Sequence, residues 1–316
     1  MLPLPLQADG DSLNQQPFGM WVEEFKAEAM GEGVPQELLV QAFEGMEPDD
    51  RVLELDRKQP ETTLTFEEYL QKVVPSSRQE TARQLYLENR ALLDEIGARY
   101  GVQPRFIVAL WGIESNFGEN TGNFNILEAL ATLAYDGRRS AYFRQELLNA
   151  FKIAAQGHIT LDEMQGSWAG AMGQCQFMPS SFLRFAVDYD GDGRKDIWNT
   201  QVDVFASIAN YLSSEGWKDE MGWGSRARIP EGFDTQLADI KQDRPLSEWT
   251  RMGVRRAGDL SPSGAPAEAA LITVGSNGEG PPYLITNNYR VLLKWNRSRY
   301  FATAVGILAD SVGGGG

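Results

Sequence analysis

Gly166-Ser-Trp-Ala-Gly-Ala-Met-Gly-Gln-Cys-Gln-Phe-Met-Pro-Ser-Ser181 concentrates three glycines, several hydrogen-bonding side chains and two aromatic rings in one short run. Gly166, Gly170 and Gly173 let backbone come close to a ligand or to another segment. Ser167, Gln174 and Gln176 offer hydrogen bonds, while Trp168 and Phe177 offer flat apolar faces. A sugar suits this mixture, because it carries hydroxyls on its edges and C–H groups on its faces. The same residues would also serve a tight helix–loop–helix packing motif, and the run by itself leaves both readings open.

Upstream lies Val108-Ala-Leu-Trp-Gly-Ile-Glu-Ser-Asn-Phe-Gly118. Pro104 is tolerated in a first helical turn, and the helix after it is expected to reach about Ser115, with Gly118 as a stop. On that helix Glu114 shares a face with Ile107, Leu110 and Trp111. An apolar stripe desolvates a carboxyl, and a helix C-terminus disfavours an anion; both raise its pKa. A carboxyl so raised suits a general acid that protonates a glycosidic oxygen near neutral pH. The bland reading of Glu114 is a solvated or ion-paired residue at a helix end.

Downstream lies Asp188-Tyr-Asp-Gly-Asp-Gly-Arg-Lys-Asp-Ile-Trp-Asn199. Asp188, Asp190, Asp192 and Asp196 fall on positions 1, 3, 5 and 9 of an EF-hand-like loop, with Gly193 at the sharp turn and the Arg194 carbonyl at position 7. The departure is Asn199 at position 12, where a bidentate Glu is expected; Asp203 supplies that carboxylate if the loop is longer. Carboxylates this close repel one another without a cation, so Ca²⁺ in a structural role is favoured over a solvated acidic turn.

Farther out, Trp21, Val22, Phe25 and Ala29 make one helical stripe ended by Gly31 and Gly33. A second helix carries Leu38, Leu39, Ala42 and Phe43. Thr65 and Glu68 form a capping-box pattern, and one long helix is expected from about Arg78 to Tyr100. Further helices are expected near 125–135, 138–156, 179–187, 201–215 and 299–312. Short β-rich stretches are expected at Ala270 to Val274, Tyr283 to Ile285 and Val291 to Trp295. The fold class is mainly α (α+β). Its parts are a loose segment over 1–16, a helical part over 17–80, a core over 81–216 containing the 188–203 loop, a small β-containing insertion over 217–290, and a return to the core with a Gly tail over 291–316.

Across 316 residues the formal net charge is −15, from 44 acidic and 29 basic residues, which argues against a nucleic-acid partner. The single cysteine, Cys175, excludes an intrachain disulfide, and no apolar run approaches the roughly 20 residues that span a bilayer. The single histidine, His158, is read as a surface residue near a helix end. Arg138 and Arg139 could grip a carboxylate bidentately, with a solvated charge group as the default reading.

In this order and spacing, the three blocks together with Trp295-Asn-Arg-Ser-Arg-Tyr300 resemble the B-type lytic murein transglycosylases of bacteria, over about residues 18 to 312. The resemblance implies a lysozyme-like core with Glu114 as the catalytic acid/base and Ser167, Gln176 and Phe177 lining the cleft beside it. It implies substrate-binding roles for Tyr211, Trp295 and Asn296, and peptide- or muramoyl-contacting roles for Arg138 and Arg139. Trp295 stands where relatives often carry Tyr, so stacking rather than a hydroxyl contact is expected there. Peptidoglycan glycan strands are the implied substrate and the periplasm the implied location, with any lipid anchor outside this sequence. Two rivals are a hydrolytic muramidase on the same fold, which needs a second carboxylate, and a non-catalytic, Ca²⁺-stabilised wall-binding protein. Asp162 and Glu163 are the nearest second carboxylates in sequence and are read as solvated surface.

Overall fold

A computed structural model describes residues 16–58, 64–256, 268–275 and 279–313. Its helices are α1 (Phe18–Gly31), α2 (Gln36–Phe43), α3 (Asp50–Arg57), α4 (Phe66–Val73), α5 (Ser76–Glu88), α6 (Arg90–Tyr100), α7 (Pro104–Ser115), α8 (Ile126–Asp136), α9 (Ser140–Ala155), α10 (Pro179–Phe185), α11 (Gln201–Ser214), α12 (Leu246–Arg251), α13 (Asn287–Trp295) and α14 (Arg299–Gly313). Its strands are β1 (Phe124–Asn125), β2 (Gln165–Gly166), β3 (Gly224–Arg228), β4 (Arg244–Pro245), β5 (Arg255–Arg256), β6 (Glu268–Thr273) and β7 (Pro282–Ile285). Helix dominates and sheet is minor, as the apolar periodicity predicts. The loose segment expected over 1–16 lies outside the described residues except for Gln16, as does the end of the Gly tail.

Two compact units divide the chain: Pro5–Thr62 with Glu114–Ile208, and Thr63–Ile113 with Ala209–Gly316. In the first, Trp21, Val22, Phe25 and Ala29 are the buried stripe of α1. Phe25 packs its ring on Phe43 and Phe151, each at 5.8 Å. Fully burying one such side chain stabilises by about 1.5–3 kcal/mol, which fixes α1 and α2 against α9. Helix α8 buries Ile126, Leu127 and every residue from Ala129 to Ala134, and it starts at Asn125, whose side chain accepts from Leu127 N and Glu128 N. Strands β1 and β2 pair antiparallel, with Phe124 opposite Gly166, and bridges Gly166–Met172 and Met172–Phe177 extend the ladder. The glycine-rich run is therefore a small β structure rather than a helix–loop–helix motif.

In the second unit the Thr65–Glu68 capping box closes in both directions. The single helix expected from Arg78 to Tyr100 is instead two, broken at Asn89. There φ is −104° and ψ 12°, and Asn89 Nδ2 donates to the Leu85 carbonyl, satisfying the end of α5. Strands β4, β6, β7, β3 and β5 form an antiparallel sheet in that order. Ala227, Trp249, Val254, Ala269, Leu271 and Leu284 make its core, and Trp249 Nε1 donates to the Ala269 carbonyl at 2.8 Å. The β-rich stretch expected over Val291 to Trp295 is part of helix α13 instead. Thr286 caps that helix by accepting from Asn288 N, and the buried Asn288, Tyr289, Val291, Leu292 and Trp295 follow helical spacing.

Candidate active site

Helix α7 buries Phe106 through Trp111 and ends with Glu114 half-buried in its last turn. The helix cannot continue, because Asn116, Phe117 and Gly118 all take left-handed backbone, with φ of 50°, 60° and 90°. Such a conformation costs about 1–2 kcal/mol for each non-glycine residue, and strain of this kind clusters at functional sites. The turn is held by Gly118 N donating to Ser115 Oγ at 3.0 Å and Asn120 N donating to the Ser115 carbonyl at 2.8 Å. Gly118 lies against the Gln174 side chain so closely that a Cβ would fall 2.5 Å from Gln174 Oε1. The buried Cys175 thiol is pushed well above its ordinary range, by burial first and then by the negative charges of Glu114 and Asp203. The segment that follows Glu114 therefore packs, at Gly118, against Gln174 of the 173–177 turn.

That turn carries residues expected to line a cleft. Gln176 has φ of 50°, and its Nε2 donates to the carbonyls of Thr121 and Gly173, both at 2.9 Å. Phe177 and Met172 exchange backbone hydrogen bonds at 2.8 and 3.1 Å. Phe177 is buried at 2% exposure, whereas Ser167 and Gln176 are half-buried. Ser167 Oγ accepts from Ala171 N at 3.0 Å. The turn's C-terminal end is tied by a residue that sequence reading passes over. Glu146, on α9 and 3% exposed, accepts from Ser180 N at 2.8 Å and Ser180 Oγ at 2.7 Å. Burial raises its pKa, against the opposing effect of the Ser180 bonds. Its only sequence signal is a carboxylate one turn after Phe143 on the apolar stripe of α9.

Arg138 and Arg139 converge on a second carboxylate that the sequence reading misses. Asp56, on α3 and 2% exposed, accepts from Arg139 Nη2 at 2.7 Å and lies 3.5 Å from Arg138 Nη1. Arg139 has φ of 56° and lies 4.9 Å from the Phe143 ring. Its guanidinium is thus held in place, while Arg138 is the more exposed of the two. Arg57 adds an ion pair to Asp136 at 2.9 Å, so consecutive residues of α3 grip the turn between α8 and α9.

In the acidic loop, Asp188, Asp190 and the fully buried Asp203 bring one carboxylate oxygen each within 4.8 Å of one another. Asp203 accepts from Tyr189 N at 2.7 Å and Asp196 N at 2.8 Å, so the loop closes on it. Burial raises its pKa first; Asp190 and Asp188 add to the rise and the two backbone bonds oppose it. Asp192 accepts from Arg194 N at 2.7 Å, and Asp196 accepts from Trp198 N and Asn199 N. Those two carboxylates shape the turn. The converging donor set is all hard oxygen, which matches calcium in chemistry. His158 is part of this region rather than plain surface: its Nδ1 accepts from Lys195 N at 3.2 Å, and burial lowers its pKa.

Tyr211, Trp295 and Asn296 belong to the second unit. The Tyr211 and Trp295 rings meet edge to face at 4.5 Å, both largely buried, and Asn296 accepts from Ser298 N at 3.0 Å.

A strained turn after a half-buried glutamate, packed against a glycine-rich β turn, is the arrangement that the sequence resemblance leads one to expect. The family comparison agrees: residues 17–310 match the Transglycosylase SLT domain, and the chain belongs to that family. It is 34% identical over 220 residues to the membrane-bound lytic murein transglycosylase B of Escherichia coli, covering 67% of this chain and 58% of that protein. The chain thus spans less than two thirds of that curated relative. SltB3 from Pseudomonas aeruginosa, solved in complex with NAG-anhNAM-pentapeptide, superposes with a TM-score of 0.89 at 42% identity, over 95% of this chain and 80% of that one. The E. coli lytic transglycosylase Slt35, solved in complex with calcium, gives 0.78 at 28% identity, over 96% and 95%. The fold is lysozyme-like, as in these neighbours.

Proposed function

We propose that this chain is a lytic murein transglycosylase that cuts the β-1,4 bond between N-acetylmuramic acid and N-acetylglucosamine, with Glu114 as its single acid/base. The observation that carries this reading is the position of Glu114: half-buried at the end of α7, just before the strained turn whose Gly118 packs against Gln174, in a chain of the SLT family. SltB3 has been solved with both NAG-NAM-pentapeptide and its anhydro counterpart, which supports the same substrate and product here.

Protonated Glu114 donates its proton to the glycosidic oxygen, and the C1–O bond breaks with the electron pair leaving on that oxygen. The substrate's N-acetyl group shares the positive charge that develops at C1. Glu114, now a carboxylate, takes the proton from the muramoyl C6 hydroxyl as that oxygen bonds to C1. The product is a 1,6-anhydro end, and Glu114 regains its proton. Attack from within the substrate dispenses with the second carboxylate of ordinary glycosidases. Asp162 and Glu163 fit that economy, since both are exposed and Glu163 accepts from Thr160 Oγ1 at 2.7 Å. Ser167, Gln176, Phe177, Arg138 and Arg139 are assigned to substrate binding, as are Tyr211, Trp295 and Asn296.

Calcium belongs to this reading as a structural ion held by Asp188, Asp190 and Asp203, with Asp192 and the Arg194 carbonyl completing the loop's oxygen donors. It would neutralise the clustered carboxylates. A wall substrate places the protein in the periplasm, and no helix among the described residues is long and apolar enough to cross a membrane.

Mass spectrometry of purified peptidoglycan after digestion tests the reaction. Anhydro-muropeptides are expected, and Glu114→Gln should abolish them without moving the melting temperature by more than a degree or two. Hydrated reducing ends, or undiminished lysis by the variant, would overturn the assignment.

A further inference from the structure

We propose that the arginine-bearing edge of the five-stranded sheet docks the stem-peptide carboxylates of intact peptidoglycan, as a binding face additional to the Glu114 site. The proposal rests on the peptidoglycan reading above. Strand β3 alternates buried Ser225 and Ala227 with exposed Arg226 and Arg228. Strand β5, at the sheet edge, places exposed Arg255 directly opposite Arg228. Arg226 lies two residues along on the same side of the sheet, and exposed Arg251 ends α12 just before β5. Neither 224–230 nor 251–256 contains an acidic residue.

Like charges directly opposite across a ladder destabilise it. Elsewhere in this unit such charges are matched, as in Arg244–Glu248, Arg290–Asp243 and Lys294–Glu215. Among the described residues no ion pair reaches Arg226, Arg228, Arg251 or Arg255. Arg255 spends Nη1 on the Thr250 and Val254 carbonyls, and burial pushes up the pKa of the Tyr283 hydroxyl, on which the charges of Arg226 and Glu67 act in opposite directions. The core around Trp249 is built without these arginines, so packing does not account for them. Edge protection calls for charge on the outermost strand, yet Arg226 and Arg228 sit one strand in, on β3. A chain of net charge −15 is repelled by an anionic polymer unless one face inverts the sign. Guanidinium forks pair bidentately with carboxylates, and stem peptides present these in repeated array.

The test measures binding of the full chain carrying Glu114→Gln to insoluble purified sacculi, at low and at high salt. Adding Arg226→Gln, Arg228→Gln and Arg255→Gln should weaken binding roughly tenfold at low salt, with little difference at high salt. Sacculi stripped of stem peptides by an amidase should bind the parent no better than intact sacculi bind the triple variant. In the Glu114 background the same triple substitution should leave turnover of soluble disaccharide-peptide fragments unchanged, with the melting temperature as a folding check. Equal binding by parent and triple variant, or equal binding to stripped and intact sacculi, overturns the docking face while fragment turnover keeps the Glu114 reading. A triple variant that only self-associates reduces these arginines to edge protection. A loss seen with phosphatidylglycerol vesicles but not with sacculi assigns the face to lipid phosphate and refutes the proposal. If the Glu114 chain cuts no fragments and the parent binds no sacculi, both readings fall.

Discussion

Gly122→Ala should damage the candidate site through backbone alone. Gly122 has φ of +93°, and a Cβ there would lie 2.1 Å from the Gly166 carbonyl oxygen, 2.2 Å from its carbon and 2.6 Å from Ser167 N. All three are main-chain atoms of the β2 turn, so no flexible side chain can swing aside. The left-handed backbone costs an L-residue about 1–2 kcal/mol, and forcing packed backbone apart adds about 1–3 kcal/mol. Gly157 separates the two contributions: its φ is +79°, and nothing lies within 4 Å of its would-be Cβ. Denaturant titration should show Gly157→Ala losing only the first contribution and Gly122→Ala losing roughly 2–5 kcal/mol. At roughly 2–4 °C per kcal/mol, the melting temperatures of the two variants should differ by several degrees. Muropeptide release by Gly122→Ala should fall further than its unfolded fraction explains, because Ser167 moves with the displaced strand. Equal destabilisation by the two alanines would refute the close approach of Gly122 to Gly166, and unchanged release by Gly122→Ala would refute its bearing on the site.

Two further outcomes follow from buried carboxylates. Burial raises the Glu146 pKa above its ordinary 4.5, so its contribution favours the fold below the unfolded value and is withdrawn as pH rises through the raised one. The melting temperature of Glu146→Gln relative to the parent should therefore climb between about pH 4 and pH 8, and a pH-independent difference would contradict the burial argument. Calcium at 100 times its dissociation constant should stabilise the parent by about 2.7 kcal/mol, and Asp203→Asn should remove most of that response; an equal calcium shift in the variant would dismiss Asp203 as a ligand.

What the sequence discloses depends on how far apart the interacting residues lie. The α1 stripe and the Thr65–Glu68 box are local patterns, and both appear as read. The break at Asn89 is also local, but apolar spacing continues through it and only the Asn89–Leu85 bond marks the end of α5. Helix α13 was misread because Val291 to Trp295 alone is a short apolar run; its start signal, Thr286 over Asn288, lies outside that run. The Glu114 segment and the acidic loop stand out in the sequence because each carries its candidate chemistry within a few residues. Asp56 and Glu146 do not, since their partners stand 83 and 34 residues away. Helix α3 itself opens on Asp49-Asp-Arg51 and shows only Val52 and Asp56 buried, too little for an apolar pattern to announce.

The distribution of buried acid also bears on the choice of Glu114 proposed for proton transfer. Asp56 is held by two guanidinium groups, Glu146 by the amide and hydroxyl of Ser180, and Asp203 by two backbone amides. Each of these carboxylates accepts the bonds that hold a turn, so its oxygens are committed to the scaffold. A general acid must gain and lose its proton in every turnover without moving its scaffold. The strained 116–118 turn after Glu114 is held by Ser115, through its Oγ and its carbonyl. Three carboxylates thus fix loops of the first unit, which sets them apart from the proton-transfer role proposed for Glu114.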